Sequence, residues 1–181
     1  MAFLNEFKNW NADTVQGRIM AATANDVQRA LTSEQLRLND FFALLSPAAE
    51  DQLEALAQRA HHLTQQRFGK TIQLYAPLYL SNECCNGCLY CGFNASNKMS
   101  RRTLSLDEVE REARILHQRG FRHVQLLTGE APQSVDNAYL AAAVKRIRPL
   151  FSSISIEVYP MDTAGYAQMV AAGVDYLTVS Q

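Results

Sequence analysis

Cys84, Cys88 and Cys91 stand at C-x3-C-x2-C spacing in the stretch NECCNGCLYCGF. Three thiols this close, with nothing bulky to separate them, can serve one metal centre. The spacing leaves three chemistries open. An iron–sulfur cluster usually takes four thiolates, one per iron, so three leave an iron for a ligand that is not protein. Structural zinc closes a shell of four Cys or His ligands, typically from two separated pairs. Here the fourth thiol, Cys85, adjoins Cys84, and no second CxxC or HxxxH follows. Adjacent residues rarely both face one small tetrahedron, and His61 and His62 lie upstream on a helical pattern. A disulfide framework suits a small secreted chain. The start MAFLNEFKNWNAD has neither the basic opening nor the long apolar core of a secretory signal.

The elements around the cysteines say where they must sit. An apolar, β-prone run over residues 72–80 precedes them, and a polar turn and a helix-period segment follow. The cysteines therefore leave the end of a strand. Ser105-x-x-Glu108 is a capping box that opens a helix to about Arg119, with Val109, Ala113 and Leu116 inward and Gly120 as the stop. His123–Thr128 reads as a second strand, Ser134–Arg148 as a helix, Ser153–Val158 as a third strand and Asp162–Ala172 as a helix before Gly173. Tyr176–Val179 begins a fourth strand. This β-α-β-α-β-α-β order predicts parallel strands with right-handed crossovers.

Residues 1–70 read as a helical extension that packs. Thr23 or Asn25 caps a short helix carrying Val27 and Leu31, and Ser33–Leu45 is a second, apolar-rich helix. A third opens at Ser46 and Pro47, carries Leu53, Leu56, Ala57, Ala60 and Leu63 at helical spacing, and stops at Gly69. The domain reading is thus 1–70 and 71–181. Four β/α units do not close an eight-stranded barrel of roughly 250 residues. The expected fold is α/β, the N-terminal half of a TIM-type barrel behind a helical extension, in a sequence that looks truncated. A doubly wound sheet is the alternative.

In parallel β/α proteins, ligands sit at the carboxyl ends of the strands. The cysteine loop leaves strand one there, and Thr128-Gly129-Glu130 ends strand two there, so the two motifs should face each other. Gly129 permits close backbone approach and Glu130 suits an ammonium group. Glu157 interrupts the apolar strand SISIEVY, where a carboxylate is costly unless paired, and should face the barrel mouth. Tyr90 and Phe93 flank the cysteines as stacking or packing rings. Arg101 and Arg102 read as an exposed charged turn or as partners for a ligand carboxylate.

C-x3-C-x2-C with an aromatic, Tyr90, before the last cysteine resembles the radical S-adenosylmethionine superfamily. The wider text APLYLSNECCNGCLYCGF, RRTLSLDEVEREA and LLTGEAP, with NDVQRALTSEQL and ALLSPAAEDQLEALAQRA upstream, is similar to its tyrosine-lyase branch of thiazole biosynthesis. The resemblance covers essentially the whole chain. It implies that Cys84, Cys88 and Cys91 hold a [4Fe-4S] cluster whose open iron chelates S-adenosylmethionine. It also implies that Thr-Gly-Glu replaces the superfamily's Gly-Gly-Glu, with Gly129 and Glu130 receiving the methionyl ammonium. Tyr90 and Glu157 complete the implied cofactor-binding set, and ribose-binding positions fall near Ser180 and Gln181 or beyond. Cys85 departs from the family's small or apolar neighbour and reads as a bystander.

The implied reaction is radical cleavage of the Cα–Cβ bond of L-tyrosine for the thiazole of thiamine, giving 2-iminoacetate (dehydroglycine) and p-cresol. Implied partners are a thiazole synthase and an electron donor such as flavodoxin or ferredoxin. Two rivals stand beside it: the tyrosine-cleaving relative that makes carbon monoxide and cyanide for hydrogenase maturation, and a non-catalytic metal-binding fragment.

Composition agrees with an enzyme core. The chain has 181 residues, 48% hydrophobic, with net charge -1, and a pI of about 6.4. It can bury a core, and it offers no electrostatic case for nucleic acid or an anionic membrane surface. No apolar run reaches the roughly 20 residues of a membrane helix. Free cysteines without a secretory signal suggest a reducing cytoplasm.

Overall fold

Alternation over Ser153–Glu157 buries Ile154 and Ile156, His123–Thr128 buries Val124, Gln125 and Leu126 in succession, and those strands form the centre of a parallel sheet. The computed structural model describes residues 3–179. The chain divides into two units, Met1–Thr71 and Ile72–Gln181.

The first unit is helical. It comprises α1 (Phe3–Phe7), α2 (Ala12–Met20), α3 (Ala24–Thr32), α4 (Leu38–Leu44), a 3-10 segment (Pro47–Gln52) and α5 (Leu53–Phe68). Thr23 caps α3 in a reciprocal box with Asp26. A small core forms from Val27, Ala43 and Ala49. Three expectations shift here. Ser33 ends α3 in extended conformation, so the second predicted helix starts only at Leu38. Ser46 and Pro47 open a 3-10 segment rather than an α-helix, and the Ser46 hydroxyl donates back to the Ala43 carbonyl. None of the apolar stripe on α5 is buried.

The second unit holds β1 (Ala76–Ser81), α6 (Leu106–Gln118), β2 (His123–Thr128), α7 (Asn137–Ile147), β3 (Ser153–Glu157), α8 (Thr163–Ala172) and β4 (Tyr176–Thr178). The strands pair in parallel in the order β1-β2-β3-β4. That order never reverses, so the sheet is a run of consecutive barrel-type units and not the doubly wound alternative. Strand one begins at Ala76, later than its apolar pattern suggests, because its first partner on β2 is Val124. Residues 72–75 have no ladder to join. Asp136 caps α7, so that helix starts at Asn137 and not at Ser134.

Leu78, Leu80, Val124, Leu126, Ile154 and Ile156 are buried against residues of the three helices, including Val109, Ala113, Leu140, Val144 and Met169. The opposite face follows from the strand period of two. The register sets Tyr79, Leu127, Glu157 and Thr178 in one row, and Pro77, Gln125, Ser155 and Tyr176 in the next. Such rows are how a barrel lumen is layered.

Candidate functional site

The loop between β1 and α6 carries the cysteines. Its stem is closed by an isolated antiparallel bridge between Ser81 and Thr103. Asn82 and Arg102 join the stem as well. The Asn82 backbone N–H donates to the Arg102 carbonyl, 3.2 Å, and the Arg102 N–H donates to Asn82 Oδ1, 2.6 Å. Inside the loop, the Cys91 N–H donates to the Cys88 carbonyl at 3.3 Å, and the Asn94 side chain donates to that same carbonyl at 2.8 Å.

The loop lies against the end of β2. The Cys85 N–H donates to the Glu130 carbonyl at 2.9 Å, and Asn86 Nδ2 donates to Glu130 Oε2 at 2.6 Å. A Cβ added at Gly129 would lie 2.3 Å from the Glu83 carbonyl oxygen and 2.8 Å from Cys84 Cβ. Gly129 is therefore needed for the approach of the cysteine loop itself, a constraint that precedes any closeness to a ligand.

Cys84, Cys88 and Cys91 line one cavity of about 500 Å³, together with Tyr90, Phe93, Gly129, Glu130 and Glu157. The three cysteines, Tyr90, Gly129, Glu130 and Glu157 are thus in one wall set. Tyr79, Asn86, Gly92, Leu127, Val158 and Tyr159 line it as well and had not been singled out, and Thr128 joins Gly129 and Glu130 there as the strand-end motif. Tyr79 and Leu127 follow from strand alternation once the register is known. Asn86 and Tyr159 carry no local signal.

The cysteines are free thiols, with Cys84 and Cys91 half-buried and Cys88 exposed. Cys85 is exposed, and its sulfur sits near Asn86 Oδ1 at 3.9 Å, outside the cavity lining. Among the described residues, no three His, Cys, Asp or Glu side chains close on a single metal-ion position. Cys84, Cys88 and Cys91 share the lining of one cavity, and in a multi-iron cluster each thiolate serves a different iron.

Glu157 accepts from Gln125 Nε2 at 2.7 Å, which answers the cost of placing a carboxylate in an apolar strand. Tyr90 stands at the rim, 87% exposed. Phe93 packs edge-to-face on Tyr79 with ring centroids 5.7 Å apart. The Tyr159 hydroxyl donates to the Val135 carbonyl at 2.7 Å, and burial, aided by the Asp136 charge, raises its pKa. The arginines divide: Arg102 is exposed, as a charged turn would be, and Arg101 is half-buried. Arg102 pairs with Glu108. Arg101 meets no carboxylate among the described residues, and its guanidinium donates to backbone carbonyls. The positions near Ser180 and Gln181 lie outside the described residues.

A three-cysteine loop at the carboxyl ends of barrel-type parallel strands, facing a Gly-Glu strand end, defines a cluster-binding β/α enzyme core. The Radical SAM superfamily model matches residues 78–181, and the chain belongs to that superfamily. The chain is 44% identical over 179 residues to the 2-iminoacetate synthases of Salmonella typhimurium and Escherichia coli. The match takes in 99% of this chain and 48% of each relative, so the chain spans about half their length. A crystal structure of HydG, a maturase of the [FeFe]-hydrogenase, superposes with TM-score 0.84 at 24% identity, over 93% of this chain and 40% of that one. That likeness extends the fold, a partial TIM-type barrel.

The superfamily's cofactors are a [4Fe-4S] cluster and S-adenosylmethionine, and the residues present fit them. Three free thiols, a carboxylate and the Thr128–Glu130 strand end share one cavity. The Thr128 hydroxyl, in the same wall, is buried with no hydrogen-bond partner among the described residues. A buried polar atom left unpaired is costly and in native proteins marks a place where a partner is expected.

Proposed function

We propose that this chain carries the cofactor-binding half of a radical S-adenosylmethionine lyase that cleaves the Cα–Cβ bond of L-tyrosine to 2-iminoacetate and p-cresol, for the thiazole of thiamine. What carries the reading is the meeting of the cysteine loop with Gly129 and Glu130 in one cavity, in a chain 44% identical to two 2-iminoacetate synthases. Cys84, Cys88 and Cys91 would hold the cluster. The Thr128–Glu130 segment and the Glu130 carboxylate would take the methionyl ammonium. When bound, the pair of cofactors supplies one-electron radical chemistry.

The chain's own residues do the rest. Asn86 fixes the direction of the Glu130 carboxylate with its short hydrogen bond. Gln125 donates to Glu157 on the lumen face, and that carboxylate lines the cavity. Tyr79, Phe93 and Leu127 supply apolar walls that keep water from the reacting centre. Tyr90 covers the rim. A flavodoxin- or ferredoxin-type protein would supply electrons in the cytoplasm. Dehydroglycine hydrolyses easily, which favours handover to a thiazole synthase. No helix among the described residues is long and apolar enough to cross a membrane.

Anaerobic reconstitution tests the reading. The chain should take up about four irons and four sulfides and cleave S-adenosylmethionine under a strong reductant. C84A, C88A and C91A should each lose the four-iron signature, while C85A keeps it. Release of p-cresol from tyrosine supports the lyase. Cyanide and carbon monoxide beside p-cresol would favour the hydrogenase-maturation relative. One zinc per chain, with no cofactor cleavage, would leave only a metal-binding module.

A further inference from the structure

Arg101 is the residue whose contacts the proposed chemistry leaves unused. One nitrogen of its guanidinium, Nη1, donates to the carbonyl of Asn82 at 2.6 Å and of Phe93 at 2.8 Å. The other, Nη2, donates to the carbonyl of Asn94 at 2.7 Å and of Asn97 at 3.4 Å. Asn82 is where the cysteine loop leaves β1, and 93–97 is the turn just after the last cysteine. One cation therefore ties the loop's start to its far end, with Cys84, Cys88 and Cys91 between them.

The tie reaches the cysteines through two asparagines. Asn94 Nδ2 donates to the Cys88 carbonyl at 2.8 Å, and the Asn94 N–H donates to the Cys91 carbonyl at 3.1 Å. Asn97 Nδ2 reaches the Gly92 carbonyl at 3.0 Å and the Cys91 carbonyl at 3.4 Å. These are the peptide units that set where two of the three sulfurs point. Arg101 holds the turn, and the turn holds the cysteine backbone.

We propose that Arg101 is a positioning residue that closes the cysteine loop before any metal is present, so that cluster assembly does not have to order the loop. The physical basis is the planar fork of five donors, fixed in geometry, which spans several carbonyls at once. Hydrogen bonds from a charged donor are among the stronger ones in proteins. A lysine ammonium is a point charge on a flexible stem and cannot bridge the same set. Fixing an eleven-residue segment such as 83–93 otherwise costs backbone entropy at every residue. That the loop is a cluster loop rests on the function proposed above; that Arg101 holds it shut does not.

The test separates the two. Amide hydrogen exchange is followed by mass spectrometry on the reduced, iron-free 181-residue chain, for wild type, R101A and R101K. In R101A, amides of 85–97 should exchange faster by about tenfold or more, while those of β2 and β3 keep their wild-type rates. R101K should fall between the two, and millimolar guanidinium should slow the R101A loop again. Unchanged loop exchange in R101A overturns the proposal. So does acceleration shared equally by β2 and β3, which would make Arg101 a general stabiliser. A second arm measures iron and sulfide after reconstitution, where R101A should retain less than half of the wild-type sulfide. Should the wild-type chain itself assemble no cluster, the proposed function fails, and the exchange rates still decide the role of Arg101.

Discussion

Gly129 and Asn86 show how much of the site depends on single contacts. At Gly129 the missing Cβ is replaced by the Glu83 carbonyl oxygen and Cys84. Both obstacles belong to the chain's backbone and first side-chain atom, so neither can swing away. G129A should push the cysteine loop off β2. Iron retention after reconstitution is expected to drop at least tenfold, while far-UV circular dichroism changes little, since the Glu83–Gly129 approach lies outside the ladder. Asn86 acts through Glu130. N86A frees that carboxylate, and N86D sets a second negative charge against it. Both should keep iron content, and both should weaken S-adenosylmethionine binding, by about tenfold for N86A and more for N86D. Calorimetric titration of the reconstituted protein reads the difference.

At the scale of elements, α6 is anchored at its start by a reciprocal capping box. Ser105 accepts from the Glu108 N–H, and the Glu108 carboxylate accepts from the Ser105 N–H at 2.8 Å and pairs with Arg102. S105A should cost about 1 kcal/mol in chemical denaturation. The Ser105 N–H bond first, and Arg102 second, lower the Glu108 pKa below its ordinary 4.5. A lowered carboxylate pKa means that its contribution is present above 4.5 and is lost as pH falls through the folded value. Acid titration should therefore destabilise wild type more steeply than E108Q below pH 4.5, read as the thermal midpoint of each. This capping box was legible because both partners sit three residues apart. The start of β1 was not legible. Ile72 and Leu74 read as strand, yet they stand exposed, because pairing depends on where β2 begins. The apolar stripe of α5 was also a fair local pattern, and burial does not follow from a pattern unless another surface meets it.

At the scale of the molecule, α7 is tied to the segment before α6 by Tyr139, whose hydroxyl donates to the Leu104 carbonyl at 2.6 Å. Burial, and then the Glu108 charge, push the Tyr139 pKa from 10.0 up to about 12. The folded state therefore prefers the neutral phenol. That preference is fully present below pH 10 and fades as pH rises through 12. Stability of the Ile72–Gln181 unit should fall across that window, and Y139F should flatten the fall while lowering stability at neutral pH. Denaturant midpoints from pH 8 to 12 measure both effects. The consecutive strand order brings the ends of β1, β2 and β3 side by side, which is why one cavity collects residues as distant in sequence as Cys84 and Glu157.

Local spacing and periodicity determined the cysteine loop, the strand and helix sequence, the parallel sheet and the residues worth watching. Those properties depend on neighbours within a turn or a pleat, so a linear reading reaches them. Only the tertiary structure decided that Arg101 faces carbonyls and not a carboxylate, that Asn86 holds Glu130, and that Gly129 yields its space to Glu83. Each of these contacts joins segments whose meeting is set by strand register and by the path of a long loop. Neither is written in the residues that make the contact.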